Sequence, residues 1–437
     1  MAAPKASEAR KRIMEGEPAK APRPPVYFTT GHTMLDLVLG GGRGKMGLKG
    51  GVLARFVAVN SGGKSSLATE MLAHNIRKPP SDKFWHQYLD REYRFSFDTK
   101  STYGVEIDVR GVGECPRTVE ELSAHLGLAF KEHRDPGIVV IDSLEAFSTE
   151  ETEDRADERE SLYSKDKEVV LKGSYTAKMG AAASYSETLR VNLADAAETG
   201  TLIIALSQIR QNSDAGPYGP KHKKVGGAAL DHWVDTEVWL KPLHYITVGS
   251  KADQTERTIG FVGKAWEEKG TKDRPYRECL YTILYGYGVD SIGDSLDFLY
   301  NLRDASSGKF WNLERKGNTA NGECPFLISW REGAEKTPEA VMEWLRESGK
   351  LDEAKEARKQ EAGHTRMSLE WMETWIAKDP ELQAAYVERF PVFTRDQLIR
   401  AIEADKDMEA ELVRRTVAKW EAVEQMAASN RRSKFST

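Results

Sequence analysis

The stretch GGVLARFVAVNSGGKSSLATEMLAHNIR, residues 50–77, decides the fold. It opens as an apolar run rich in Val and Phe and closes with apolar residues at helical spacing, and between the two lies AVNSGGKS, residues 58–65. Strand, glycine-bearing turn and helix, in that order, are the setting in which small-x-x-x-x-Gly-Lys-Ser/Thr holds nucleotide phosphates. Ala58 takes the leading place, where glycine is usual; Asn60, Ser61, Gly62 and Gly63 form the turn, and Lys64, Ser65 and Ser66 open the helix. Glycines let successive backbone N–H groups turn inward on phosphate oxygens, the lysine neutralises the outer phosphates, and the serine hydroxyl ligates Mg²⁺. Chance supplies such a pattern about 0.03 times in a chain of this length. The flanking strand and helix therefore carry the reading as much as the pattern does.

Composition sets the bounds around this motif. The chain has 437 residues, 40% hydrophobic and 30% charged, enough for one large core and at least one smaller unit. No apolar run approaches the roughly 20 residues that span a bilayer, and the opening MAAPKASEARKRIMEGEPAKAPRPP lacks the apolar centre of a secretory signal. A soluble, cytoplasmic protein without a membrane partner is expected. Cys115, Cys279 and Cys324 have no metal-ligand spacing and are expected to pack in the interior. Net charge is -5, so nucleic acid would have to meet a local basic patch.

Along the chain, residues 1–28 read as an N-terminal arm with one short helical stretch, a candidate oligomerisation segment. Residues 29–334 alternate short apolar runs with helical patterns: GVLARFVAV, FWHQYLD, GIVVIDSL, TLIIALSQI and DTEVWLKPL are the strand candidates. That alternation predicts an α/β domain with a mostly parallel central sheet. Beyond about residue 335 no further strands are expected, and residues 335–437 read as a helical domain. Thr337 with Pro338 marks one helix start, and the Thr394 to Gln397 spacing marks a capping box. Trp344, Trp371 and Trp375 are expected in the core of this region.

GIVVIDSL ends its apolar run in Asp142, the place from which an aspartate holds Mg²⁺ on the strand beside a phosphate loop. A parallel sheet brings both strand ends to one edge, where ligands bind. Hydrolysis would further need a carboxylate to take a proton from water. Asp90 and Glu92 in QYLDREYRF offer one, though from the residues alone they read sooner as solvated loop charges.

From about residue 29 to 330 the chain resembles the RecA family of DNA strand-exchange recombinases, in ordered pieces. TTGHTMLDLVLGGG is similar to the segment ahead of the phosphate loop, LDREYRFSFDTKSTYGVEI to the one bearing the catalytic glutamate, and IVVIDSLEAF to the Mg²⁺ strand. LIIALSQIR, GGAALDHW, YTILYGYGVD and GKFWNLERKGNTANGE resemble later parts of that core. The resemblance implies a RecA-like P-loop core and a DNA-dependent ATPase that uses ATP and Mg²⁺. It puts Lys64, Ser65 and Asp142 on the metal and nucleotide, Glu92 on the attacking water and Gln208 on the terminal phosphate. It also implies a helical filament of self copies on single-stranded DNA, paired with homologous duplex DNA. Lys264 matches one of two lysines sent across the subunit interface, while Val262 stands at the other.

The second DNA loop implied is QNSDAGPYGPKHKKVGG, residues 211–227, with Arg210 just before it. Tyr218 supplies a ring, Lys221, Lys223 and Lys224 supply charge, and Gly226 and Gly227 close it, a combination suited to an unpaired strand. The first DNA loop departs from the family: STEETEDRADERE, residues 148–160, has seven acidic and two basic residues. DNA contact is therefore assigned to Lys165, Lys167, Lys172 and Lys178 beyond it. Ser96 and Thr99 stand where the family has an aspartate and a tyrosine at the base. Two other readings share the core: a ring-forming motor such as a helicase or clock-type ATPase, and a non-catalytic mediator of recombination.

Overall fold

The computed structural model describes residues 24–40, 45–154, 190–211, 222–224, 231–270, 276–312, 317–318, 324, 326–330 and 337–427. After a short antiparallel ladder, β1 (Tyr27–Phe28) with β2 (Leu48–Lys49), the chain enters β3 (Leu53–Ala58), in which all six residues are buried. A strand covered on both faces reads as one continuous apolar run. Its single charge, Arg55, is wholly buried and donates from Nε to Glu237 at 2.9 Å.

The central sheet also contains β4 (Trp85–Asp90), β5 (Val109–Arg110), β6 (Gly137–Asp142), β7 (Leu202–Gln211), β8 (His222–Lys224), β9 (Thr236–Val248), β10 (Arg257–Lys269), β11 (Glu278–Leu284) and β12 (Gly288–Val289). Its order is β12-β11-β10-β9-β3-β7-β6-β4-β5, with β8 paired to β7 off this path. From β5 to β9 the neighbours are parallel; from β9 to β12 they are antiparallel. The five strand candidates of the sequence are all present, and the sheet is mostly parallel as expected. Register aligns the ends: Ala58 lies beside Gln208, and Asp90 beside Asp142.

Helices cover both faces. Helix Lys64–Arg77 buries Leu67, Met71 and Leu72 against Phe56, Val140 and Ile204. On the other face, helix Val119–Glu132 packs Leu122, Leu126 and Phe130 near Leu89, Val139 and Ile203. It starts at a capping box, Thr118 with Glu121.

After the small ladder β13 (Trp311–Asn312) with β14 (Gly317–Asn318), the end of the chain departs from expectation in one respect. Strands do not stop near residue 335: Val392–Thr394 forms β16, antiparallel to β15 (Leu327–Ser329). Three residues after Pro391 are too few to show a strand period. Helix Pro338–Glu347 begins on Thr337, and Arg395–Ala404 begins on the Thr394–Gln397 box. Residues 341–390 share one apolar cluster that includes buried Trp344 and, partly buried at its margin, Trp371 and Trp375. Leu398, Ile402 and Leu412 instead pack with Leu296, Phe310 and Ile328, while Trp420 joins the cluster under the sheet. An ionic knot ties the same seam. Arg395 donates to Asp297 at 2.7 Å, Asp297 also accepts from Arg303 at 2.5 Å, and nearby His32 bonds Asp294 at 2.9 Å.

Candidate active site

The parallel strands deliver their C-terminal ends to one edge, and the residues singled out by the sequence meet there. Between β3 and helix Lys64–Arg77 the chain makes a tight loop: Ser61 and Gly63 take left-handed backbone conformations, φ 58° and 83°. Gly62 N–H closes the turn on the Val59 carbonyl at 3.1 Å. A Cβ at Gly62 would stand 2.6 Å from that of Ala58, so the close approach is made by the second glycine and an alanine fits the leading place. Asn60 and Ser61 are exposed, and Ser65 and Ser66 half-buried. The helix carries no side-chain cap at its start, which leaves its first N–H groups for an incoming anion.

Lys64 lies almost buried in this edge. Burial pulls its pKa down, and Asp142, Glu145 and Glu92, in that order, pull it back up. Ser65 Oγ donates to Asp142 Oδ2 at 2.8 Å, and the Tyr88 hydroxyl donates to the same oxygen. Burial raises the Asp142 carboxyl above its ordinary pKa, against these two hydrogen bonds.

The two carboxylates after β4 have different surroundings. Asp90 is buried and accepts Phe95 N–H at 2.8 Å, so it shapes the loop. Glu92 turns to the sheet edge: its Oε1 accepts from Ser143 Oγ at 2.6 Å and from Gln208 Nε2 at 3.2 Å, and its Oε2 lies 3.8 Å from exposed Arg94. Three further groups had no signal in the sequence. Tyr88 and Ser143 act through the hydrogen bonds just given, and Glu145 accepts from Ser207 Oγ at 2.5 Å and Gln208 N–H at 3.0 Å.

Lys264 is not brought to this cluster within one chain. It lies on β10, pairs with Glu278 at 2.7 Å, and lines a cavity of about 350 Å³ beside helices Ser291–Tyr300 and Lys406–Met426. Val262 is wholly buried. Near the expected base position Ser96 is exposed and Thr99 is buried as the first residue of helix Thr99–Tyr103.

The second DNA segment is partly a hairpin stem. β8 runs antiparallel to β7, and its register puts Arg210 opposite Lys223 and Ile209 opposite Lys224. Tyr218, Lys221, Gly226 and Gly227 lie outside the described residues, as do Lys165, Lys167, Lys172 and Lys178.

The residues present fit Mg²⁺ and a nucleoside polyphosphate. The loop turns so closely that neither Gly62 nor Gly63 has room for a Cβ, its lysine sits among carboxylates, and a hydroxyl and a carboxylate already share one hydrogen bond.

No family model matches the chain. Among curated proteins it is 24% identical over 272 residues to the DNA repair protein recA homolog 1, chloroplastic, of Arabidopsis thaliana, covering 62% of this chain and 54% of that protein. It is 23% identical over 288 residues to Protein RecA of Ruminococcus albus, covering 64% and 63%. Against Protein RecA of Thioalkalivibrio sulfidiphilus it is 24% identical over 339 residues, covering 76% and 88%. The chain thus spans between half and two thirds of the length of the first two relatives. Together with the sheet, these similarities define an α/β, RecA-like core. Among the described residues no helix is long and apolar enough to cross a membrane.

Proposed function

We propose that the chain is an ATP-dependent DNA recombinase that forms filaments on single-stranded DNA and promotes pairing and strand exchange with homologous duplex. The backbone of the phosphate loop, with Lys64, would hold the phosphates, and Ser65 and Asp142 the Mg²⁺. The metal supplies charge neutralisation across the phosphate oxygens. Glu92 orients water and accepts its proton, with Ser143 and Gln208 fixing the carboxylate.

The observation that carries this reading is the 3.2 Å hydrogen bond from Gln208 to Glu92. It joins the catalytic carboxylate to β7, the strand that continues into the Arg210–Lys223 hairpin. The arginine and lysines of this segment supply positive charge suited to a DNA phosphate. Lys264 serves the neighbouring subunit's nucleotide. Residues 1–28 form the contact arm, 29–334 the ATPase core and 335–437 the helical region, in a cytoplasmic protein.

Electron microscopy of the full chain with single-stranded DNA and a slowly hydrolysed ATP analogue is expected to show open filaments; closed rings would favour a motor. Glu92→Gln is expected to lower hydrolysis by about 10²–10⁴ while keeping nucleotide binding. Unchanged turnover would reject the catalytic assignment.

A further inference from the structure

Glu145 stands in the short 3-10 turn Leu144–Ala146, just past the Mg²⁺ aspartate. It is 62 residues from Ser207 in sequence, yet its Oε1 takes both the Ser207 hydroxyl and the Gln208 N–H. The side-chain amide of that same Gln208 is held by Glu92. One residue is thus gripped twice, by its backbone from Glu145 and by its side chain from Glu92. The remaining oxygen, Glu145 Oε2, is buried and has no hydrogen-bond partner among the described residues.

A half-satisfied buried carboxylate is a poor way to stabilise a fold, because its desolvation is only partly offset. Well-packed apolar residues of similar volume at 145 and 207 commonly do as well or better. Stability alone therefore does not account for the pair. Geometry gives a second reason. If the Gln208 backbone is pinned, a side chain that leaves Glu92 for a terminal phosphate pulls against a fixed pivot, and the displacement passes to the following residues of β7. If the backbone is loose, the same pull is absorbed by slack at residues 207–208 and does not reach β8.

We infer that Glu145 is a positioning residue that anchors the Gln208 backbone, so that the state of the nucleotide is transmitted along β7 to the β7–β8 hairpin. The inference rests on the proposed reading of the site as ATP-responsive. Glu145 acts through Ser207 and Gln208 and needs no contact with the nucleotide. What it requires is an oxygen acceptor at that position, not a charge.

The test uses the full chain and the variants Glu145→Ala and Glu145→Gln, each with Mg²⁺ and either ADP or a slowly hydrolysed ATP analogue. Hydrogen exchange over residues 202–211 is one readout, and the ratio of single-strand affinities in the two nucleotides is the other. Glu145→Ala is expected to speed exchange at the Gln208 amide by about 10-fold or more, since a hydrogen bond to a charged acceptor is lost, and to remove its response to nucleotide. The affinity ratio should fall by about the same factor. Glu145→Gln, whose amide oxygen still accepts from both donors, should keep both properties. Wild-type exchange and ratio in Glu145→Ala would overturn the inference, as would equal failure of both variants, which would point to charge. Should Glu145→Ala not fold, Ser207→Ala removes one of the two bonds and is expected to show an intermediate loss. If the wild type itself binds single strands equally in both nucleotides, the recombinase reading fails, while the exchange readout still judges Glu145.

Discussion

At Gly62 the site depends on the absence of a single methyl group. An added Cβ would meet that of Ala58 at 2.6 Å, inside a loop whose neighbours are fixed by β3. Gly62→Ala is expected to weaken nucleotide binding by the equivalent of about 1–3 kcal/mol of overpacking, whereas Ala58→Gly should stay within about threefold of wild type; titration calorimetry separates the two. A second prediction follows from Asp142. Burial raises its pKa, so the proton leaves at higher pH than from an ordinary carboxyl. Metal ligation needs the carboxylate, so Mg²⁺-dependent nucleotide affinity should rise with pH through that raised value and fall off on acidification sooner than an exposed aspartate would allow. The unliganded fold has the opposite sign: with the proton held more tightly in the folded state, this group's contribution to stability declines as pH rises from the ordinary carboxylate range. Asp142→Asn should flatten both slopes, read by affinity and by urea unfolding from about pH 4 upward. Lys64, Ser65 and Asp142 sit in local sequence patterns, whereas Glu92 and Gln208 were singled out only by family resemblance; the fold brings Ser65 to Asp142 and Gln208 to Glu92. Tyr88, Ser143 and Glu145 were not legible in the sequence, because a tyrosine in a strand or a glutamate after one gains meaning only from a partner far along the chain.

Among the elements, the parallel strands announced themselves through doubly buried apolar runs, and the helix starts through their caps. The antiparallel flank was harder to read. β10 runs on through Gly263, where the absence of a Cβ makes room for the Tyr281 ring, which would lie 2.5 Å from any Cβ there. β8 was hidden for another reason, since HKK has the composition of a solvated loop and becomes a strand only by pairing with β7. The helix Arg395–Ala404 is held to the core by charge as well as by apolar packing. Its first residue, Arg395, is almost buried and bonded to Asp297 through Nε at 2.7 Å and to Asp290 at 3.4 Å. Removing it takes a cation from two buried carboxylates, of which Asp297 keeps Arg303, so Arg395→Ala is expected to cost about 3–5 kcal/mol, measured as a fall in the urea midpoint. Loss of less than about 1 kcal/mol would mean that the ion pair behaves as a surface one.

Over the whole molecule, the apolar clusters divide the C-terminal residues differently from the sequence pattern. Helices follow one another from residue 338 to 426, yet the contacts change at β16. Before it, residues 341–390 bury one another; after it, Leu398, Ile402, Leu412 and Trp420 bury themselves against the sheet domain. Truncation after residue 390 is therefore expected to expose apolar surface and give aggregated protein. Joining Trp330 to Pro391 through a short turn should instead leave a soluble chain that still binds nucleotide and unfolds cooperatively, as size-exclusion chromatography and thermal melts would show. The reason is the ladder in which Leu327 faces Thr394 and Ser329 faces Val392. Departure and return of the intervening segment lie side by side, which makes the segment a detour that begins and ends at one doorway. A reporter domain of unrelated origin, spliced in at that doorway, should ride on the protein as a passenger.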